Sequence, residues 1–210
     1  LRVLVIGANG KVGKILVKKL KDSAHEPVAM VRDTDQIPQF EDIGVKTVLG
    51  DLEKDFDKAF YGIDAAIFAA GSGPHTGPDK TVLIDQEGAI KSVELGERFG
   101  LQRFIMLSSM GADDPAAGPK AMQHYLYAKH RADERLENSD LNYTIVRPGG
   151  LTNQPGTGKV NLKGKLDEFG SVSREDVAET LAYLLSVPRA DKRTFELVNG
   201  DQEIGEVLAY

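Results

Sequence analysis

The chain has 210 residues, enough for one domain with a substantial core and too few for two of ordinary size. Apolar residues make up 41% and charged residues 28%, and the net charge of -6 is spread with both signs interspersed, which argues against nucleic acid as the main ligand. With no cysteine there is no disulfide, no thiolate chemistry and no cysteine zinc site, which suits a reducing, cytoplasmic setting.

His25, His75, His124 and His130 show no metal-ligand spacing, so no metal is expected. No apolar run approaches the roughly 20 residues that cross a membrane. The first residues already read as a strand, so no signal peptide is expected in the sequence given.

Arg2 to Ile6 is an apolar, β-branched run ending in glycine, the pattern of a strand buried on both faces. Lys11 to Leu20 places Val12, Ile15, Leu16 and Leu20 on one helical stripe. Pro27 to Val31, Val45 to Leu49 and Asp64 to Ala70 read as the next three strands, and Lys54 to Tyr61 as a short helix closed by Gly62. Asp79 to Phe99 reads as one long helix ended by Gly100. Arg103 to Leu107 is a fifth strand, Ala121 to Glu137 a helix, and Asn142 to Arg147 a sixth strand halted by Pro148. This β-α-β alternation predicts an α/β fold of Rossmann type, a doubly wound parallel sheet covered by helices on both sides.

After Pro148 the character changes. Gly149 to Gly164 reads as a loop with one short strand around Lys159 to Leu162. Arg174 to Ser186 is a helix with Ser173 as its N-cap, and Thr194 to Val198 a last strand. No repeat or linker divides the chain. Residues 1–210 are expected to form a single domain, with 149–210 contributing a small substrate side.

The strongest local signal is Gly7-Ala8-Asn9-Gly10-Lys11-Val12-Gly13, between the first strand and the first helix. Gly7 allows the sharp turn, Gly10 lets the backbone approach a pyrophosphate, and Gly13 lets the helix pack closely on the sheet. The helix N-terminus adds free N–H groups and a positive dipole end. The end of the second strand then separates the two dinucleotides, because an acid there takes the ribose hydroxyls of NAD and an arginine the 2′-phosphate of NADP. Here both signs are present, as Arg32 and Asp33. Arg32 comes first, at the strand terminus, and Asp33 falls in the turn beyond, where it could cap the following segment. The expectation is NADP, with NAD the less favoured alternative. Asp51 and Leu52, after the third strand, are placed to border the adenine.

Tyr125 and Lys129 form a Tyr-x-x-x-Lys pair on one helical face. An ammonium beside a phenol favours its ionised form, and a tyrosine so placed serves as acid or base next to a hydride acceptor. The bland alternative is a solvated helix with Tyr125 packed on its neighbours. The helix lies between strands ending in Leu107-Ser108-Ser109 and Arg147-Pro148-Gly149, at the strand ends where open α/β sheets bind ligands.

Together the glycine turn, Arg32, Asp51-Leu52, Ala69-Ala70-Gly71, Ser108-Ser109, the Tyr125/Lys129 pair and Arg147-Pro148-Gly149-Gly150 resemble an atypical short-chain dehydrogenase/reductase. The resemblance is to its compact NAD(P)-binding members, the NmrA-like proteins and NAD-dependent epimerase/dehydratases, and runs over nearly the whole chain. It implies that Gly7, Asn9, Gly10, Lys11 and Val12 line the pyrophosphate and Arg32 the 2′-phosphate. Ala69, Ala70 and Gly71 would lie near the adenine-side ribose, Lys129 at the nicotinamide ribose, and Pro148 and Gly149 at the nicotinamide ring. Ser109 resembles the substrate-orienting serine, with Ser108 the alternative register. The family implies an oxidoreductase or epimerase/dehydratase acting on a small carbonyl or hydroxyl substrate through Tyr125, Lys129 and Ser109. Related atypical members lacking the tyrosine leave two alternatives open. One is a non-catalytic NADP(H) sensor with a protein partner; the other is an NADPH-dependent flavin or quinone reductase. The loop Gly71 to Thr81 should border the substrate side, with His75 exposed in it.

Overall fold

Strands form where apolar, β-branched residues run unbroken between turns: Arg2–Ile6 (β1), Glu26–Val31 (β2), Lys46–Leu49 (β3), Ala65–Phe68 (β4), Arg103–Leu107 (β5) and Tyr143–Pro148 (β6). The computed structural model describes residues 1–72 and 76–209; His75 lies outside them. Five shorter or later strands follow, Gly150–Thr152 (β7), Lys159–Lys163 (β8), Ser171–Ser173 (β9), Arg193–Asn199 (β10) and Gln202–Glu203 (β11). The main sheet runs β11-β8-β10-β6-β5-β4-β1-β2-β3, and β7 pairs with β9 separately. All pairs from β3 to β10 are parallel, while β8 runs antiparallel to β10 and to β11. The order reverses between β1 and β4, which opens a crevice at the carboxyl ends of those strands.

Alternate β1 side chains divide the core. Val3 and Val5 pack with Leu16 and Leu20 of helix α1 (Lys11–Lys21) and with Leu181 and Leu184, which a later helix carries. Leu4 and Ile6 pack with Phe60, Phe68, Val93, Phe104 and Leu136 on the other face. A short helix α2 (Pro38–Glu41) precedes β3. The expected helix over Lys54 to Tyr61 is only a 3-10 turn, Asp57–Phe60, because one tight turn already buries Phe56, Ala59 and Phe60.

The expected long helix over 79–99 is not uniform. It begins as one turn, α3 (Pro78–Lys80), widens into a π-helical stretch at Thr81–Gly88, and continues as α4 (Ala89–Arg98). The widening turns Thr81 and Asp85 inward, where both are buried. A 3-10 turn at Lys120–Met122 then leads into α5 (Gln123–Glu137), and α6 (Arg174–Leu184) completes the set. The predicted cap on α6 is present, with the Asp176 N–H donating to Ser173 Oγ at 3.0 Å.

Pro148 does not halt β6. Its missing N–H is harmless, because β5 ends opposite Val146, while the Pro148 carbonyl still accepts from Met110 N at 3.0 Å. After Pro148 most of the chain is spent on extending and covering the sheet through β8, β10, β11 and α6. Among the described residues after Pro148, the β7/β9 pair and the short loops around it are hydrogen-bonded outside the main sheet.

Candidate functional site

Gly7 has φ +87°, a left-handed conformation that glycine adopts without strain, and its carbonyl accepts from Gly10 N at 3.0 Å. A Cβ at Gly7 would lie 2.5 Å from Ala70 N, so the turn passes directly over the chain leaving β4. A Cβ at Gly13 would overlap the Gly7 carbonyl, with the carbonyl carbon 2.8 Å away. Gly10 is different. Its φ of -73° suits any residue, and a Cβ there would meet only the Gly7 oxygen, at 3.3 Å. The close packing of the turn therefore explains Gly7 and Gly13, and leaves Gly10 to be explained by what approaches it from outside.

The first turn of α1 has no side-chain cap and no acidic residue, in contrast to the capped α6. Its leading N–H groups and dipole end are left for an anion. Lys11 is exposed beside them, and Val12 is buried beneath. Asn9 is fixed from the neighbouring segment, since Gln39 Nε2 donates to Asn9 Oδ1 at 2.6 Å.

At the end of β2, Arg32 projects with 57% of its side chain exposed, 3.6 Å from Asp33 Oδ2. Asp33 occupies the N-cap of the 3-10 turn Thr34–Gln36 in a capping box with Gln36, whose Oε1 accepts from Arg32 N at 3.0 Å. Arg32 and Asp33 both face a groove that Leu49, Gly50, Asp51, Lys54 and Asp55 also line, and the Asp33 side chain is 59% exposed. Asp51 accepts from Glu53 N at 3.0 Å, and Leu52 packs on Gly88. Ala69 and Ala70 are half-buried under the glycine turn, and Gly71 is exposed at the crevice.

Three residues of α5 at successive four-residue spacing, Tyr125, Lys129 and Asp133, face the sheet ends together. Lys129 is buried, its Nζ lying 5.8 Å from the Tyr125 ring centroid and 5.7 Å from that of Phe68. The ammonium is not free for Tyr125 alone. It donates to Leu107 O at 3.3 Å and pairs with the buried Asp85 carboxylate at 3.7 Å, while Ser72 N donates to the other Asp85 oxygen at 3.2 Å. From sequence Asp85 is open to either a polar substrate or water, and nothing in a helical period marks it as an acid turned inward by a π-helical stretch.

The two serines have different surroundings. Ser108 Oγ is buried and donates to Asp133 Oδ2 at 2.7 Å, whereas Ser109 is half-buried and its Oγ donates to Met110 O at 3.1 Å. Arg147 Nε also donates to Asp133 Oδ2, at 3.0 Å. Burial pushes the Asp133 carboxyl above the ordinary carboxylate range, against the opposing pull of Arg147 and Ser108. The four-residue spacing from Lys129 was the signal that would have found Asp133. Pro148 and Gly149 sit at the tip of β6, where a Cβ on Gly149 would overlap the Gly170 carbonyl, whose carbon is 2.9 Å away. Among the described residues, no cluster of three His, Asp or Glu side chains could hold a metal, and no helix is long and apolar enough to cross a membrane.

A parallel sheet with its order reversed at β1/β4, a glycine turn leading into an uncapped helix and a basic residue at the end of β2 define a dinucleotide-binding protein. The chain belongs to the NAD(P)H-binding family whose model matches residues 7–188. A solved structure from Bacillus halodurans, named as an NAD-dependent epimerase/dehydratase, is 51% identical, with a TM-score of 0.97 over 100% of this chain and 99% of that one. A Bacillus subtilis protein named as an uncharacterized sugar epimerase is 44% identical over 99% of each chain. Sanguinarine reductase of Eschscholzia californica is 26% identical over 98% of this chain and 92% of its own. The fold is the Rossmann-type α/β arrangement of these relatives, and the family is one of NAD(P)-binding oxidoreductases and epimerases.

Proposed function

We propose that the chain is an NADP(H)-dependent reductase of a small carbonyl-type acceptor. The observation that carries the reading is the uncapped start of α1 over the Gly7–Gly10 turn, with Arg32 exposed at the neighbouring strand end and Asp33 following it at the start of the next turn. Gly7, Asn9, Gly10, Lys11 and Val12 would hold the pyrophosphate and Arg32 the 2′-phosphate. Asp51, Leu52, Ala69, Ala70 and Gly71 would border the adenosine, and Lys129, Pro148 and Gly149 the nicotinamide end. NADPH, when bound, supplies a hydride. The chain's part is then to exclude water, orient the acceptor and deliver a proton, and the Tyr125 phenol is the group assigned to that proton.

Reduction is preferred to epimerisation of a nucleotide sugar on grounds of size. With β8, β10, β11 and α6 committed to the sheet, little chain after β6 remains to enclose so large a substrate. A second reading, direct hydride transfer to a flavin or quinone without tyrosine, is favoured by the state of the other two groups. Lys129 is neutralised by Asp85, and Ser109 turns to a backbone carbonyl. Turnover of Tyr125→Phe separates the two. The first reading expects a loss of about a hundredfold or more with NADPH affinity retained, and the second expects activity to persist. Tight NADPH binding by the wild type without oxidation by any acceptor would leave the sensor reading, with a protein partner.

A further inference from the structure

Phe169 is the most exposed large apolar side chain among the described residues, at 74% of its surface. It lies in the loop between β8 and β9, and that loop is anchored at both ends. At the start, the buried Glu196 carboxylate on β10 accepts from Leu166 N at 2.7 Å, and Lys165 Nζ lies 2.8 Å from Asp113 and 3.5 Å from Glu196. At the end, Gly150 N donates to Gly170 O at 2.9 Å, and the close approach of Gly170 leaves no room for a side chain at Gly149. Strand pairing of Gly150 with Ser171 continues the fixation.

The loop thus holds Phe169 beside Gly150, where a Cβ would come to 4.0 Å from its ring. Gly149 and Gly150 follow directly on the tip of β6, the strand end assigned above to the nicotinamide. A large ring held in water on a fixed loop gains nothing from folding, since it is not buried. Its flat face is available to a ligand at the reaction edge, and aromatic faces favour offset stacking on other rings.

We propose that Phe169 is a substrate-contacting residue, and that the acceptor reduced at this edge carries a planar, unsaturated ring that stacks on it. The proposal rests on the reductase reading for its reaction, but not for its binding. Quinones and isoalloxazines share the required flat face, and the two are separated by the test itself.

The test is calorimetric titration of menadione and, separately, of FMN into the full chain saturated with NADP+, alongside NADPH oxidation by each and by a short aliphatic aldehyde. Phe169→Ala should weaken binding of one of the ring compounds, and raise KM for it, by about tenfold. It should leave NADP+ affinity and any aldehyde KM unchanged, and Phe169→Trp should restore ring binding. Because the ring is exposed, the substitution does not open the core. Binding of a ring compound without its reduction would overturn the reductase reading and leave the stacking role standing. Equal ring affinity in wild type and Phe169→Ala, or binding of neither ring by the wild type, would overturn the role of Phe169.

Discussion

The three glycines of the turn should respond to alanine in different ways. At Gly13 the new methyl would overlap the Gly7 carbonyl, with its carbon at 2.8 Å and Ala8 Cα at 2.9 Å, all of it backbone that cannot swing aside. Such overpacking costs about 3 kcal/mol or more. At Gly10 the backbone is already in an ordinary conformation and the nearest atom is the Gly7 oxygen at 3.3 Å. Alanine is a poorer N-cap than glycine, but it also restricts the unfolded chain, and the two effects offset to within about 1 kcal/mol. For a chain of this size that is a change in Tm of about 2–4 °C at most. The same methyl would stand where the pyrophosphate approaches, so NADPH affinity should fall by about tenfold or more. Thermal melts and NADPH fluorescence titrations on Gly10→Ala and Gly13→Ala read both quantities. Undiminished NADPH affinity in a well-folded Gly10→Ala would refute the assignment of the turn to a phosphate.

Other outcomes follow from the charges. Arg32→Ala should weaken NADPH about tenfold in a titration and leave NADH nearly unchanged; equal losses would move the selectivity to Asp33 or elsewhere. Lys129→Met leaves the buried Asp85 unpaired and should cost about 3–5 kcal/mol in urea unfolding, most of it recovered when Asp85→Asn is added. A double variant no more stable than Lys129→Met would contradict the pairing. Burial holds the Asp133 carboxyl above its ordinary range, so the folded chain keeps that proton to higher pH than the unfolded chain. Its contribution to stability is then full below about pH 3.9 and declines as pH rises through the folded value. Compared with Asp133→Asn, the wild type should lose relative stability as pH rises above the ordinary carboxylate range; a flat difference would show that burial does not dominate.

The parts of the fold legible in the sequence are those where one requirement acts alone. The apolar run Arg2–Ile6 and the stripe of α1 needed only burial, and Gly7 and Gly13 of the turn between them needed only close packing. The β7/β9 pair was hidden because three-residue strands in a glycine-rich stretch carry no usable alternation, and their pairing depends on Gly170 meeting Gly149. The π-helical stretch was hidden because Val82, Leu83 and Ile84 fit a helical period as well, and only the inward turn of Asp85 distinguishes it. For the candidate site, the positions of Gly7, Arg32 and the Tyr125/Lys129 face were legible from spacing. The spacing from Lys129 puts Asp133 on the same helical face, but that Asp85 and Asp133 set the electrostatics there was not legible, because a charged residue gives no sign in one sequence that it is buried against its counter-ion.

The central claim, that the start of α1 and the end of β2 hold NADP(H), is tested most directly by a crystal structure of the chain with NADPH. The account predicts the pyrophosphate over the N–H groups at Lys11 and Val12, and the 2′-phosphate within hydrogen-bond reach of Arg32. A pyrophosphate bound elsewhere, or an adenosine ribose turned to Asp33 with its 2′-phosphate in solvent, would contradict it.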